Sequence, residues 1–339
     1  MRKLATIEKI LKIEQHSNAD LLEVATVKGW SCVVKKGEFK EGDLCVYLEV
    51  DSFLPIKPNF EFLRKSSYKK MPDGTEGFRL KTIRLRKQLS QGLILPMSIF
   101  GEAAIEFDEV GQDATNFLGI IKYEPPIPAQ LAGKVKGMFP IFVKKTDQER
   151  IQNLTEFFDK HSDMEFEVTE KLDGSSCTYY WNEGQFGVCS RNLELLESEN
   201  NSLWKIAKDM RIREYLTSRN IAVQGEIVGE GIQGNPYKIQ GQKFFVFDVW
   251  DIEHQRHFTP HERSEFIKPS FMKQVPAPEN ADITPLKTTL DKLLVAAEGK
   301  SALNNLAERE GLVFKSTKRV NGQIISFKVI NNQYLLGEK

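Results

Sequence analysis

A lysine that follows an alternating strand and precedes a tight turn is the feature that most constrains how this chain folds. Residues 165–169 (EFEVT) alternate polar and apolar side chains with period two, which predicts a half-buried strand leading to Lys171. Asp173 and Gly174 come directly after it, and glycine permits the close backbone approach that a tight turn needs. The chain must therefore fold so that a strand end presents Lys171 beside a turn.

Four further motifs follow this lysine in a fixed order. They are residues 190–192 (SRN), 225–226 (GE), 245–248 (FVFD), and 310–315 (EGLVFK) with 326–328 (SFK). Taken singly, each motif is weak, because a lone acid, arginine or aromatic residue on a strand usually has no special role. The ordered set indicates a site at which a lysine attacks a nucleotide phosphate.

The chemistry of Lys171 depends on its protonation. A free lysine has a pKa of about 10.4 and is not a nucleophile at neutral pH. Burial and nearby cations lower the pKa of a lysine, and we expect this of Lys171. Arg191, on the same strand face as Cys189, would grip a ribose hydroxyl or a phosphate. An incidental lysine in an exposed turn and a surface arginine are the alternatives.

Two acidic residues lie next to apolar strands. Glu226 falls inside residues 223–228 (VQGEIV), and Glu310 directly precedes residues 312–314 (LVF). A buried carboxylate is costly unless it is paired or bound to a metal. Together with Asp173, these acids are predicted to hold a hydrated Mg²⁺ against a triphosphate, since Mg²⁺ prefers oxygen ligands. Singly, each acid is typical of a strand end.

Aromatic residues occupy the third motif. Strand alternation puts Phe245 and Phe247 on one face, and Phe244, Val246 and Asp248 on the other. One face would stack a purine base, whereas core packing is the alternative for any single aromatic residue.

Cations are concentrated near the C-terminal end of the sequence. Lys315, Lys318, Arg319 and Lys328 form a basic run that is predicted to neutralise charge on a transferring phosphoryl group. A solvated face is the alternative for Lys318 and Arg319.

Length and composition set the broad class. A chain of 339 residues exceeds the size at which single cores usually divide, so two domains are expected. Lysine plus arginine and aspartate plus glutamate both number 47, so contact with a polyanion must come from local basic patches. No apolar run is long enough for a signal peptide or a membrane span, and the cysteines form no CxxC pair. We expect an intracellular protein with buried thiols, its compartment unspecified.

Two regions differ in character. Short β-rich runs between turns in residues 1–125, such as 24–27, 31–34 and 44–48, predict a small barrel. Pro125, Pro126 and Pro128 favour an extended linker, placed at residues 126–143. Residues 144–339 alternate strands and helices. Helical spacing is seen in Leu203, Ile206, Ala207 and Met210, and again in Leu286, Leu290, Leu293, Leu294 and Ala297.

The ordered motifs resemble those of the covalent nucleotidyltransferases, which include DNA ligases, RNA ligases and mRNA capping enzymes, over about residues 145–330. DNA ligases and capping enzymes typically carry arginine where this chain has Ser176, and they typically place an OB domain after the last motif. Here the barrel-like region comes first, and residues 144–152 (KKTDQERIQ) resemble a lead-in to the ligase domain. The chain is thus similar to ATP-dependent RNA ligases with an N-terminal OB domain.

This resemblance implies an α+β fold: an OB-like β-barrel at residues 1–125, then an ATP-grasp-like nucleotidyltransferase domain of antiparallel sheets and helices. It also implies that Lys171 attacks ATP with Mg²⁺ or Mn²⁺, releases pyrophosphate and holds AMP. The AMP would pass to a 5′-phosphate end, and a 3′-hydroxyl would displace it, at nicks with RNA on the 3′-hydroxyl side.

The resemblance also assigns residues. Catalytic roles fall to Lys171, Lys315 and Lys328, and metal binding to Asp173, Glu226 and Glu310. ATP binding falls to Arg150, Glu170, Asp173, Gly174, Arg191, Glu226, Phe247 (less so Phe245), Glu310, Lys315 and Lys328. The final motif is often Lys-x-Lys in this family, and here it has one lysine. Lys315 or Arg319 would supply the missing phosphate contact.

The front region has a resemblance of its own. Residues 15–24 (QHSNADLLEV) are similar to the opening of tRNA-binding OB domains. A basic stretch without acids follows in the same region, and its polar positions shift from odd to even near Thr82, which suggests a bulge. It consists of Arg79, Lys81, Arg84, Arg86 and Lys87. This stretch would follow a phosphate backbone, and a solvated strand is the alternative.

The expected partner is RNA or an RNA-containing nicked duplex, with no membrane, and the chain is expected to act as a monomer. Three alternatives stay open at this point: a GTP-dependent capping guanylyltransferase, a DNA ligase, and a non-catalytic RNA-binding pseudoligase.

Overall fold

The computed structural model describes residues 2–71, 73–124, 134–278 and 288–337. The chain divides into two compact units, Met1–Ile127 and Pro128–Lys339, and each has its own buried apolar clusters. The three prolines of the predicted linker, and Leu286 of the predicted helical pattern, lie outside the described residues.

Short strands dominate the first unit. They are β1 (Ala5–Gln15), β2 (Leu22–Val27), β3 (Trp30–Lys35), β4 (Leu44–Leu48), β5 (Ser52–Pro55), β6 (Tyr68–Lys70), β7 (Glu76–Arg79), β8 (Thr82–Leu85), β9 (Gln88–Gln91), β10 (Leu93–Pro96) and β11 (Ile121–Lys122). The helices are α1 (Arg64–Ser67) and α2 (Thr115–Leu118), with 3₁₀ helices at Pro58–Leu63 and Met97–Glu106. The β-rich runs predicted at residues 24–27, 31–34 and 44–48 are confirmed.

The long strand β1 organises the larger sheet of this unit, which has the order β10-β4-β1-β2-β3. Its first half pairs with β4 and its second half with β2, and the register shifts between Ile10 and Lys12. Such an irregularity bends a strand, so one strand can join both halves of a curved sheet. A smaller sheet has the order β11-β5-β7-β6, and β8 pairs with β9 in a two-stranded sheet.

The second unit mixes strands and helices. Its strands are β12 (Val135–Met138), β13 (Glu149–Arg150), β14 (Phe166–Lys171), β15 (Ser175–Asn182), β16 (Gln185–Ser190), β17 (Leu193–Leu195), β18 (Ile221–Gly229), β19 (Gln242–Asp251), β20 (Arg256–His257), β21 (Lys273–Gln274), β22 (Lys300–Ser301), β23 (Asn304–Glu308), β24 (Gly311–Ser316) and β25 (Ser326–Ile330). The helices are α3 (Phe157–His161), α4 (Ser202–Asp209), α5 (Ile212–Leu216), α6 (Pro260–Ile267), α7 (Leu290–Ala297) and α8 (Asn332–Gly337), with a 3₁₀ helix at Ile151–Asn153. The two predicted helical patterns correspond to α4 and α7.

Two sheets form the framework of this unit. The larger has the path β12-β17-β16-β15-β18-β19-β20, with β21 beside β19, and the smaller has the order β13-β25-β24-β14. The central strands β18 and β19 are almost wholly buried and rich in β-branched and aromatic residues, as central strands require. Lys171 ends β14 directly opposite Gly311, at the start of β24.

Two local predictions differ from the structure. Residues 135–138 were expected in a linker, but they form β12 and pair with β17 about sixty residues later, a contact that local composition does not reveal. The shift of polar residues from odd to even positions near Thr82 marks the break between β7 and β8, which lie in different sheets. It does not mark a bulge within one strand.

Candidate active site

Lys171 is held by a carboxylate. Its Nζ lies 2.5 Å from Oε1 of Glu310, and both side chains are partly buried. Burial favours the neutral amine, but Glu310, Glu226 and Asp173 together outweigh it and raise the pKa of Lys171. The expected lowering of this pKa is therefore wrong for the protein without its substrates. The sequence suggested burial and cations, whereas the nearest charges in the fold are anions.

Glu226 sits inside a buried strand, as predicted. It is the one residue of β18 that is not fully buried. Burial raises the pKa of Glu226 to about 8, and Lys171 and Arg191 oppose that rise while Glu310 and Asp173 add to it. Glu226 thus holds a proton more readily than an ordinary glutamate, because it is buried and lies beside two other acids.

The turn after Lys171 is fixed by two tyrosines from distant parts of the chain. The backbone N–H of Asp173 donates to Oη of Tyr237 at 2.6 Å. The Tyr334 hydroxyl, on α8, donates to Oδ2 of Asp173 at 2.5 Å. Gly174 packs so closely on β18 that a Cβ there would lie 2.3 Å from the carbonyl oxygen of Ile227. The glycine is required by this approach.

Phe247 lies at an irregularity in β19. The register with β18 shifts between the pairs Gln224–Asp248 and Gly225–Val246, so Phe247 is an extra residue. Phe245 is 7% exposed, whereas Phe247 is only partly buried. Phe247 is therefore the more accessible of the two aromatic candidates.

The same bulge changes the predicted strand faces. Phe244 and Val246 do share a core, but Val249 joins them there instead of Asp248. The carboxylate of Asp248 instead reaches Lys315, whose ammonium also lies 5.6 Å from the centre of the Phe247 ring. The expectation that Asp248 shares a face with Phe244 is wrong, because simple alternation cannot register an inserted residue.

Lys315 is buried beneath this aromatic residue. It is 4% exposed, and its Nζ contacts Oδ2 of Asp248 at 2.8 Å and the carbonyl oxygen of Phe247 at 2.5 Å. Burial lowers the pKa of Lys315 despite the opposing charge of Asp248. A phosphate contact by Lys315, as predicted, would require this ion pair to open.

Arg263 holds the same region from α6 and was not singled out from the sequence. Its Nη2 donates to both carboxylate oxygens of Glu167, at 2.6 and 2.8 Å. It also donates to the carbonyl oxygen of Phe247 at 3.2 Å and to Oε1 of Gln274 at 3.0 Å. A Thr259 capping box, with Pro260 in the first turn, starts the helix that delivers it. No local pattern distinguishes this arginine from a surface one.

The remaining cations lie on separate elements. Arg150 is opposite Lys328 in the parallel pair β13–β25; Arg150 is buried, and Lys328 Nζ lies 3.2 Å from Oδ1 of Asp147. Arg191 is exposed just after β16, and its charge acts on the pKa of Glu226.

Glu170 has a structural contact. Its buried carboxylate accepts the backbone N–H of Ala302 at 2.8 Å. Burial raises the pKa of Glu170, and hydrogen bonds from Ser301 and Ala302 oppose the rise. The side chain that precedes the lysine thus ties β14 to the segment after β22.

The described residues contain no preformed metal site. Within the described ranges of the chain, no group of three or more histidine, cysteine or acidic side chains is close enough to surround an ion. The predicted acids Asp173, Glu226 and Glu310 instead gather around Lys171, and all three act on its pKa.

The predicted nucleic-acid residues of the first unit separate into two groups. Arg79 is engaged internally, 3.2 Å from Asp51 and with its guanidinium 4.1 Å from the centre of the Tyr123 ring. The others are exposed on or beside the β8–β9 hairpin; they are Lys81, Arg84, Arg86 and Lys87.

Comparison with known proteins covers almost the whole chain. A family model described as an OB-fold domain matches residues 4–97, and one described as RNA ligase matches residues 164–330. No curated protein sequence gives a match.

Solved structures of Naegleria gruberi RNA ligase are similar to this chain over almost its whole length. One variant with AMP and Mn has 44% identity and a TM-score of 0.89, covering 98% of each chain. The ligase with PPi has 45% identity and a TM-score of 0.88, covering 99% of this chain and 98% of that one. A variant with ATP and Mn has 45% identity and a TM-score of 0.88, covering 98% of each. The chain belongs to the RNA ligase family of enzymes, and the α+β fold with an N-terminal OB unit is confirmed.

Among the residues that the structure describes, no helix is both long and apolar enough to cross a membrane.

Proposed function

We propose that this RNA ligase uses ATP and Mg²⁺ or Mn²⁺ to join 3′-hydroxyl and 5′-phosphate ends, with AMP held covalently on Lys171. The observation that supports it most directly is the strand-end lysine whose ammonium lies 2.5 Å from Glu310, with Glu226 and Asp173 close enough to shift its pKa. The similar Naegleria ligase has been solved with ATP, AMP, Mn and PPi, which supports the same cofactors here.

In the first step the Lys171 amine attacks the α-phosphorus of ATP. A nitrogen–phosphorus bond forms, the bond from the α-phosphorus to the bridging oxygen breaks, and pyrophosphate leaves. The ammonium must first lose a proton, and Glu310 Oε1 is an acceptor 2.5 Å away. Cations bound to the surrounding acids would also weaken the attraction between these acids and the ammonium, and this would lower the pKa of Lys171.

The acids around Lys171 fit a divalent cation. Asp173, Glu226 and Glu310 provide oxygen donors, and Mg²⁺ needs only one or two carboxylates when substrate phosphates and waters complete its shell. The raised pKa of Glu226, to about 8, reflects in part the negative charge of its neighbours, which a cation would relieve. The ion would stabilise the negative charge that develops on the phosphoryl oxygens.

Phe247 would stack on the adenine. Lys315 and Arg263 would hold Phe247 in place, because both donate hydrogen bonds to its backbone carbonyl oxygen. Arg150 and Lys328, neighbours on β13 and β25, would contact phosphates. Arg191 would contact the ribose or a phosphate, and Gly174 would allow the turn beside the nucleotide. Glu170 would support the site by tying β14 to the segment after β22 through Ala302. These roles make Lys315 a support for the base-stacking residue.

In the second and third steps AMP passes to a 5′-phosphate, and a 3′-hydroxyl displaces it to form the phosphodiester. The substrate we propose is RNA, or a nicked duplex with RNA on the 3′-hydroxyl side. The OB unit, residues 1–125, would contact this RNA through the cations of its β8–β9 hairpin, and residues 144–339 would form the adenylyltransferase domain. The working unit would be a monomer.

The first test is incubation with ATP labelled at the α- or the γ-phosphate, followed by a denaturing gel. Wild type should retain only the α-label, and Lys171→Ala should retain none. Lys208→Ala is the matched control, because Lys208 is an exposed lysine on α4 of the same unit and should leave labelling intact. Labelling of Lys171→Ala would overturn the assignment of the nucleophile.

A second assay varies the substrate. Sealing of a nick with RNA, but not with DNA, on the 3′-hydroxyl side is expected. Labelling by GTP in place of ATP would indicate a capping guanylyltransferase, and sealing of an all-DNA nick would indicate a DNA ligase. Absence of labelling with either nucleotide would leave an RNA-binding pseudoligase.

A further inference from the structure

The tip of the β8–β9 hairpin adopts a backbone conformation that its residues disfavour. Leu85 pairs with Gln88, so Arg86 and Lys87 form a two-residue turn. Their φ angles are 46° and 76°, in the left-handed region that such turns usually fill with asparagine and glycine. Long cationic side chains at both positions are therefore unusual, and the surrounding structure must hold them there.

The motif at residues 15–24 provides one of these restraints. His16 is buried, and its Nδ1 accepts the backbone N–H of Asn18 at 3.0 Å. Its Nε2 therefore bears the hydrogen and donates to the carbonyl oxygen of Leu85 at 3.1 Å. The Asn18 amide donates to the carbonyl oxygen of Arg86 at 3.4 Å. His16 and Asn18 thus bind the consecutive carbonyl groups of Leu85 and Arg86 at the turn. We call this pair of residues the clasp.

The other strand of the hairpin is tied to the core of the same unit. The Ser90 hydroxyl accepts the backbone N–H of Val33 at 3.0 Å. The carbonyl oxygen of Gln91 accepts hydrogen bonds from the Cys32 thiol at 3.1 Å and from the Tyr47 hydroxyl at 3.2 Å. Both strands are thus anchored, while the tip is exposed.

The exposed part of the hairpin is strongly basic. Arg84, Arg86 and Lys87 are exposed on it, and Lys81 is exposed just before it. Residues 77–101 contain no aspartate or glutamate. The whole chain has no net formal charge, but every charged side chain in residues 77–101 is basic. Such a segment suits contact with a polyanion.

We infer that the β8–β9 hairpin is a preformed contact for the phosphate backbone of the RNA substrate, and that His16 and Asn18 are positioning residues that keep its tip rigid. This inference rests on the proposed function, because it takes RNA as the ligand. The clasp removes the mobility that two turn residues in an unfavoured conformation would otherwise have, so less ordering is needed when RNA binds. The histidine–asparagine motif thus acts through the hairpin and need not touch RNA.

The test measures binding of a fluorescent nicked duplex, with RNA on the 3′-hydroxyl side and without ATP, over a range of salt concentrations. Arg86→Asn with Lys87→Gly removes both charges and installs the residues that this turn prefers, so the fold is kept. We expect affinity to fall about tenfold and the slope of log K against log salt to decrease by about 1.4–1.8, for two lost phosphate contacts. Lys36→Gln with Lys40→Gln, two exposed lysines of the same unit, is the matched charge control and should change neither.

The clasp has a different signature. His16→Ala keeps every cation, so it should weaken binding about threefold to tenfold through lost ordering while the salt slope stays near that of wild type. Asn18→Ala, an exposed and milder change, should act in the same direction and covers the case in which His16→Ala does not fold. Labelling of Lys171 by ATP should be unchanged in every variant.

Three outcomes distinguish failure of the hairpin contact, of the positioning role and of the proposed RNA substrate. If wild type forms lysyl-AMP and binds the nicked RNA, but the turn variant keeps its affinity and slope or behaves like the lysine control, the hairpin contact is refuted. If the turn variant loses affinity while both clasp variants match wild type, the positioning role is refuted. If wild type is labelled but binds no RNA, the proposed RNA substrate fails as well.

Discussion

Removal of Arg263 tests the support beneath the predicted adenine site. Arg263 is 1% exposed, and its Nη2 donates to both carboxylate oxygens of Glu167. Breaking a buried ion pair by removing one partner costs about 3–5 kcal/mol. The side chain of Glu167 is 28% exposed, so water partly solvates the carboxylate that remains. For Arg263→Met we therefore take the lower end, about 3 kcal/mol of unfolding free energy.

Urea unfolding followed by tryptophan fluorescence measures this loss. Trp30 is the one tryptophan of the first unit, and the other three lie in the second unit, so a Trp30→Phe background reports on the second unit alone. With a urea m-value of about 2–3 kcal/mol/M, the loss moves the midpoint down by about 1–1.5 M.

A double-mutant cycle isolates the ion pair. Glu167→Gln neutralises the carboxylate, so the double variant should be less destabilised than the sum of the single variants by about 1–3 kcal/mol. A midpoint for Arg263→Met within about 0.3 M of the parent, or a coupling energy of zero, would refute the view that this arginine holds the site. Lys268→Met, on an exposed residue just after α6, is the control and should leave the midpoint unchanged.

Three further predictions concern the hydrogen bonds and charges of the site. Tyr334→Phe removes the donor to Asp173 and should slow lysyl-AMP formation about threefold to tenfold, a loss of about 1 kcal/mol; a rate equal to wild type in a time course with labelled ATP would contradict this. The charge of Lys315 lowers the pKa of buried Asp248, although burial opposes it. Stability from this carboxylate is thus present above the usual aspartate pKa of about 4 and is lost as pH falls through the lowered value; urea unfolding from pH 7 to pH 3 should show this loss, and Asp248→Asn should flatten it. Removing divalent cations with EDTA should abolish labelling of Lys171, and added Mg²⁺ or Mn²⁺ should restore it; labelling that persists in EDTA would exclude the proposed role of the acids.

The protonated state of Lys171 changes how its activation is understood. Burial alone would favour the neutral amine, but the three carboxylates around it reverse the sign and raise its pKa. In the protein without substrates, Lys171 is therefore protonated and forms an ion pair with Glu310. We expect activation to depend on ligands that neutralise these acids, and not on the lysine's burial.

Much of the fold and the site could be predicted from local sequence. Strand alternation predicted β14 and the position of Lys171 at its end, and helical spacing predicted α4 and α7. The single acid in an apolar run predicted that Glu226 lies inside a buried strand, which is β18. These predictions succeed because periodicity and turn chemistry depend on residues within a few positions of one another.

Other features depend on contacts between distant residues. Tyr334 meets Asp173 across 161 positions, and Arg263 meets Glu167 across 96, and no local pattern indicates either pair. The bulge at Phe247 changes the face of Asp248, because an inserted residue breaks the alternation on which the prediction relied. The sequence by itself determined which elements form and which motifs they bear. Tertiary structure decided the charge on Lys171 and the partners of each buried ion, since electrostatic energy depends on distances that only the packed chain defines.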